Sequence, residues 1–184
     1  MKEETKTMDL PKIAGIPIDL YHSLRGQFFA GLAEDLQFGE GTGAWASLTN
    51  PVDSGVNLFV WAWAITDVLD TAYRVQIWMN AVMPGVPAIS PNVAPANTAY
   101  MPLPVPRVRL EYASMAAGDP VGGVKAFVRR GQPGVSIYSV EDGKFICPPG
   151  GSFAIFLSDP ETPQIRASGK IFYQWWEEEE TVGL

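Results

Sequence analysis

Apolar and polar residues alternate along this chain mostly with a period of two, in short runs interrupted by Pro and Gly. Over Ala72–Asn80, Tyr73, Val75, Ile77 and Met79 share one face, while Arg74, Gln76 and Asn80 share the other with Trp78. That is the pattern of a half-buried strand. Arg107–Tyr112 repeats it with Val108, Leu110 and Tyr112 inward, and Val124–Val128 does so against Lys125 and Arg129. Gln27–Leu32, Asp35–Phe38, Ala44–Thr49, Val135–Ser139, Ser152–Leu157 and Ile165–Trp176 are further strand candidates. The breaks carry turn chemistry at Asn50-Pro51, Pro84-Gly85, Pro133-Gly134 and Asp142-Gly143; the last suits a two-residue hairpin because it tolerates positive φ. No long segment of helical period separates consecutive strands, so parallel crossovers are excluded. The expected fold is all-β: an antiparallel β-sandwich, jelly-roll-like, with an extended N-terminal arm.

Val56–Ile65 departs from the one-faced pattern. Leu58, Val60, Ala62 and Ala64 line one side and Phe59, Trp61, Trp63 and Ile65 the other, so both sides of this central strand need cover. The candidate cover is the arm, residues 1–26. Pro11 and Pro17 exclude a regular helix around Leu10, Ile13, Ile16 and Ile18, whereas Asp19–Leu24 has room for one helical turn. The arm belongs either to the same chain or to a neighbouring subunit, and Leu10, Ile13, Ile16, Ile18, Phe59, Trp61, Trp63 and Ile65 are the candidate self-association residues. The division is thus arm 1–26, β-sandwich domain 27–176 and acidic C-terminal tail 177–184, in which Glu177–Glu180 reads as a solvated, self-repelling run. Between Pro84 and Pro106 lie seven prolines, Pro84, Pro87, Pro91, Pro95, Pro102, Pro104 and Pro106. This excursion reads as a structural crossover on the sandwich end in preference to a PxxP ligand.

A chain of 184 residues suits one domain, and 47% apolar with 18% charged residues excludes wholesale disorder. A net charge of −7 and a pI near 4.7 argue against nucleic acid as a partner. No run reaches the roughly 18 apolar residues of a membrane helix, and no hydrophobic stretch follows Met1–Lys6. Synthesis in the cytoplasm without a signal peptide, and no membrane insertion, are expected. His22 and Cys147 are single, so neither an internal disulfide nor a multi-histidine metal site is available, and no cofactor is expected. Cys147 reads as a small buried hydrophobe. Gly39–Gly43 has the glycine spacing of a phosphate loop, but Ala44–Leu48 after it reads as a strand, which favours a hairpin turn. Asp67/Asp70 and Glu141/Asp142 are acidic pairs of the kind glycosidases use, although loop carboxylates are usually solvated. With no other catalytic set, a non-enzymatic protein is expected.

Gly55–Val60, Pro95–Thr98, Val108–Ser114, Glu141–Ile146 with Pro148–Phe153, and Trp175–Glu178 occur in an order that resembles an uncharacterised single-domain family of spore-forming Gram-positive bacteria. The resemblance covers roughly residues 20 to 178, implies a domain of unknown function, and lends no catalytic residues. It implies a spore-surface or extracellular setting. The function expected is a structural protein that self-assembles through its N-terminal arm into an extracellular fibre or surface layer, with itself as principal partner. The alternatives are a carbohydrate-binding module using Trp45, Trp78 or Trp176, a virion or phage structural subunit, and association with other surface proteins or glycans. From net charge alone, salt or partial protonation should favour association.

Overall fold

The computed structural model describes residues 15–180. One short helix, α1 (Ile18–Leu24), precedes eleven strands: β1 (Phe28–Phe38), β2 (Thr42–Thr49), β3 (Val56–Thr66), β4 (Tyr73–Met79), β5 (Ala88–Ile89), β6 (Val93–Pro95), β7 (Arg109–Ala117), β8 (Val124–Gly131), β9 (Ile137–Cys147), β10 (Ser152–Ser158) and β11 (Ala167–Glu179). They form two antiparallel sheets, in the orders β6-β1-β11-β3-β9 and β5-β7-β2-β10-β4-β8.

Without β5, β6 and β7 the chain is one long hairpin rolled up on itself. β1 pairs with β11, β2 with β10, β3 with β9, and β4 with β8. The first member of each pair alternates between the sheets, which is the jelly-roll form of the sandwich. The core lies between the layers around Leu36, Leu48, Val60, Trp63, Ile77, Phe153, Tyr173 and Trp175.

The proline-rich excursion closes one side of the sandwich. Its β6 adds to the β1 edge of the first sheet and its β5 to the β7 edge of the second, so this crossover forms two short ladders of its own. Short edge strands containing proline offer few free backbone groups. On the opposite side both sheets end in full-length strands, β9 and β8.

Several expectations are revised by bulges. Gln27–Leu32 and Asp35–Phe38 are one strand, β1, because a register shift between Ala33 and Leu36, with Asp35 at φ 55°, absorbs the break in alternation. Asp142-Gly143 is no hairpin turn. Both residues have positive φ, but they lie within β9, where the stretch between Val140 and Phe145 loops out opposite Trp61. The Glu40-Gly41 turn does have hairpin-turn bonding, with reciprocal backbone bonds between Gly39 and Thr42, but it passes the chain from β1 in the first sheet to β2 in the second. In β8 the inward residue is Phe127, while Val124 and Val128 are exposed. Phe127, Arg129 and Gly131 stand opposite the buried Ile77, Val75 and Tyr73, so the bulky aromatic sets the face.

Glu177–Glu179 are the end of β11, with Glu177 buried, so the solvated tail begins no earlier than the end of that strand. Of the arm, the helical turn for which Asp19–Leu24 has room is α1, Ile18–Leu24, and Leu10 and Ile13 lie outside the described residues.

Candidate functional site

The anomalous strand β3 resolves its two apolar faces by changing phase halfway. Val60 pairs with Trp175 and Ala62 with Gln174, leaving Trp61 as the extra residue of a bulge. Leu58 and Val60 before it, and Trp63 and Ile65 after it, therefore all point into the core and are fully buried. Trp63 and Ile65 are thus no part of an outer row. Phe59 and Trp61 remain on the outer face of the sheet, half-buried, with the small Ala62 and Ala64 beyond them.

On that outer face an aromatic cluster forms around Trp176 of β11. Its indole stacks on Phe59 at 5.1 Å and on His22 at 4.9 Å, and Trp61 lies 5.8 Å away. Phe28 meets Trp61 edge-on at 6.2 Å. Two elements cover the cluster. The Asp142-Gly143 loop-out lies directly on the Trp176 ring, where a Cβ on Gly143 would collide with the indole. The other cover is α1, whose single buried side chain is His22. His22 Nδ1 is 3.2 Å from Gln27 Oε1, and its Nε2 lies 3.1 Å from Glu178 Oε1, out of line for a hydrogen bond. Glu178 also accepts from Trp176 Nε1 at 3.0 Å.

A seven-residue helix without a side-chain N-cap has little stability of its own, so this histidine contact holds α1 in place. The rest of the element faces away from its own sandwich. Ile16 is 51% and Ile18 47% exposed, and Leu20, Tyr21 and Leu24 are exposed beside them. The surface continues onto the end of the proline-rich excursion: Tyr100 donates its hydroxyl hydrogen to Leu24 O at 2.7 Å, and Met101 and Leu103 are exposed next to it. Of the candidate self-association residues, Phe59 and Trp61 are brought together with α1, whereas Ile16 and Ile18 are left open. Contiguous exposed apolar surface of this kind marks an interaction site.

The sequence offers His22 only as a lone histidine and Glu177–Glu180 as a solvated run, although period two carried through Ile171, Tyr173 and Trp175 places Glu177 on the inner face. Its carboxylate accepts from the backbone amides of Arg107 (2.9 Å) and Val108 (3.1 Å) and from Trp175 Nε1 (3.1 Å), tying the end of the excursion to β11. Burial raises its pKa against the pull of these bonds.

Several residues weighed for catalysis or ligand binding make contacts within the fold. Asp67 lies 3.0 Å from Lys170 Nζ, and Glu141 accepts from Trp63 Nε1 at 2.9 Å. Cys147 is buried, as expected, with its thiol pushed up to about 12 by desolvation. Trp45 donates to Pro84 O and is buried, as is Trp176, so neither indole face is open to a sugar. Trp78 is half-exposed with Lys125 Nζ 5.1 Å from its ring centroid. An open cleft of about 310 Å³ borders Trp45, Ser47, Thr49, Asn80 and Glu111 on the outer face of the second sheet. Among the described residues no group of three or more His, Cys, Asp or Glu is placed to hold a metal ion, and no helix is long and apolar enough to cross a membrane.

Residues 2–181 match the family of unknown function DUF6143, and the chain belongs to that family. Neither a curated protein nor a solved structure matches it.

Proposed function

We propose that this protein is a non-enzymatic structural subunit that associates with copies of itself through its N-terminal segment. The observation that carries the reading is the segment around α1: the helix buries only His22 in the sandwich, while Ile16 before it and Ile18, Leu20 and Leu24 on it are exposed. An element that served only to cover its own aromatic cluster would turn those side chains inward. The unpaired strands β8 and β9 support the same reading, because long sheet edges are sites at which a second chain adds. The assembled form we propose is a fibre or surface layer outside the cell, associated with the spore surface.

Deletion of residues 2–18 tests this. The shortened chain keeps His22 and should unfold at nearly the wild-type temperature, yet remain monomeric by light scattering and negative-stain microscopy where the full chain forms oligomers. Assembly that survives the deletion overturns the role of the N-terminal segment.

A further inference from the structure

We infer that the N-terminal face of one copy docks on the β8 edge of a second copy, so that subunits join head to tail; this rests on the self-association reading and names its acceptor surface. Arg74, Lys125 and Arg130, three of the ten Lys and Arg residues in 15–180, share the outer face of the paired strands β4 and β8 in an acidic protein, and Arg129, which leans inward over the Trp63 and Phe127 rings, adds a fourth cation at the edge. Arg130 pairs with Glu161, whereas Arg74 and Lys125 have no ion-pair partner among the described residues, Lys125 lying over the Trp78 ring. The patch has an apolar middle. Val128 is exposed and Trp78 half-exposed on the same strands, and Val124 at the start of β8 and Val121 before it are exposed as well.

The N-terminal face carries the opposite charge around a similar middle. Exposed Ile18, Leu20 and Leu24 are accompanied by Asp19 on the same helix and by Glu178, Glu179 and Glu180 at the end of β11, which reaches α1 through His22. Arg25 and Arg107 offset part of this, and Arg107 lies 3.3 Å from Glu179. The carboxylates still outnumber the cations.

Apolar centres ringed by opposite charges are complementary, and the two surfaces occupy different sheets of the sandwich. The contact is therefore heterologous, and unless its rotation closes a ring it propagates as a filament. Basic residues on an edge strand also repel a second β8 edge, so the same side chains that admit the acidic face disfavour edge-to-edge aggregation. Net charge alone predicts that salt favours association, whereas this arrangement predicts that salt weakens it, because the charges at the contact attract.

Charge reversal on the full chain tests the docking. Lys125→Glu with Arg130→Glu reverses the edge, and Glu179→Lys with Glu180→Lys reverses the face; all four side chains are exposed, and the thermal unfolding of each variant checks its fold. Each variant alone should associate at least about tenfold more weakly than wild type. An equimolar mixture should regain assembly, since each copy then meets a surface of opposite sign on the other. Variants that assemble like wild type, or a mixture that stays dispersed, overturn this docking. If such variants assemble while deletion of residues 2–18 disperses the protein, self-association stands and only the acceptor is wrong. A wild type that stays monomeric at every concentration overturns both.

Discussion

At the scale of single residues, the most consequential side chain is a carboxylate read from the sequence as solvated. Glu177 is buried and receives three N–H groups, so truncation to Ala leaves Arg107 N, Val108 N and Trp175 Nε1 without an acceptor. At about 1–3 kcal/mol for each buried group left unpaired, less what water recovers, Glu177→Ala should lose about 3 kcal/mol in urea unfolding. Its pH dependence has a definite sign. The folded pKa is raised above the ordinary 4.5, so the group's contribution is fully present below 4.5 and is lost as pH rises through the folded value. Wild type should therefore lose stability relative to Glu177→Gln as pH climbs from 4.5, and a Tm difference that is flat with pH would refute the burial argument. Asp159 runs the other way. Burial acts to raise its pKa, but hydrogen bonds from Thr162, Thr71 and the backbone outweigh it and hold the pKa below 3.8, so its contribution is lost only as pH falls through that lower range.

At the scale of elements, three irregularities do most to shape the outer aromatic face: the Trp61 bulge in β3, the loop-out at Asp142-Gly143 in β9, and the short helix α1. None is required by local propensity. The bulge exists because the core must take both the Leu58–Val60 pair and the Trp63–Ile65 pair, which lie on opposite sides of a regular strand. The loop-out requires Gly143 twice over, for a φ of 71° and for the close approach of Trp176. Gly143→Ala should cost about 2–4 kcal/mol from left-handed strain plus overpacking. Gly134 has the same φ of 71° and nothing within 4 Å of its Cβ position, so Gly134→Ala should cost only about 1 kcal/mol. Equal losses at the two sites in thermal unfolding would show that the indole contact contributes nothing.

At the scale of the whole molecule, the rolled hairpin brings the two ends of the domain together: Phe28 pairs with Trp176, so the first sheet is incomplete until β11 arrives, and the second until β10 does. Partial opening that frees only one layer is correspondingly hard, and Cys147, buried beside the core, reports on this. Its thiol is pushed up to about 12 and it belongs to the main core cluster. Labelling of Cys147 by a thiol reagent at pH 8 should be slower than in the unfolded chain by about a thousandfold or more, and should track global unfolding as urea is added. Rapid labelling of the folded protein would mean that the β9 edge opens by itself.

The alternation of Tyr73, Val75 and Ile77, the turn residues and the lack of helical segments were enough to determine the antiparallel sandwich from sequence, because period two and turn chemistry are local properties that each strand carries by itself. Burial of Cys147 and the tight turn at Glu40-Gly41 were legible for the same reason. Which face β3 and β8 turn inward, the three N–H groups that converge on Glu177, and the stacking of His22 on Trp176 were decided only by the tertiary structure. A bulge shifts the phase of everything after it, and its position is set by what the facing layer can accommodate, not by the residues at the bulge. The concentration of cations at β4 and β8 against an acidic total likewise depends on strand pairing: Arg74 and Arg130 stand side by side across 55 intervening positions of sequence only because the hairpin rolls up.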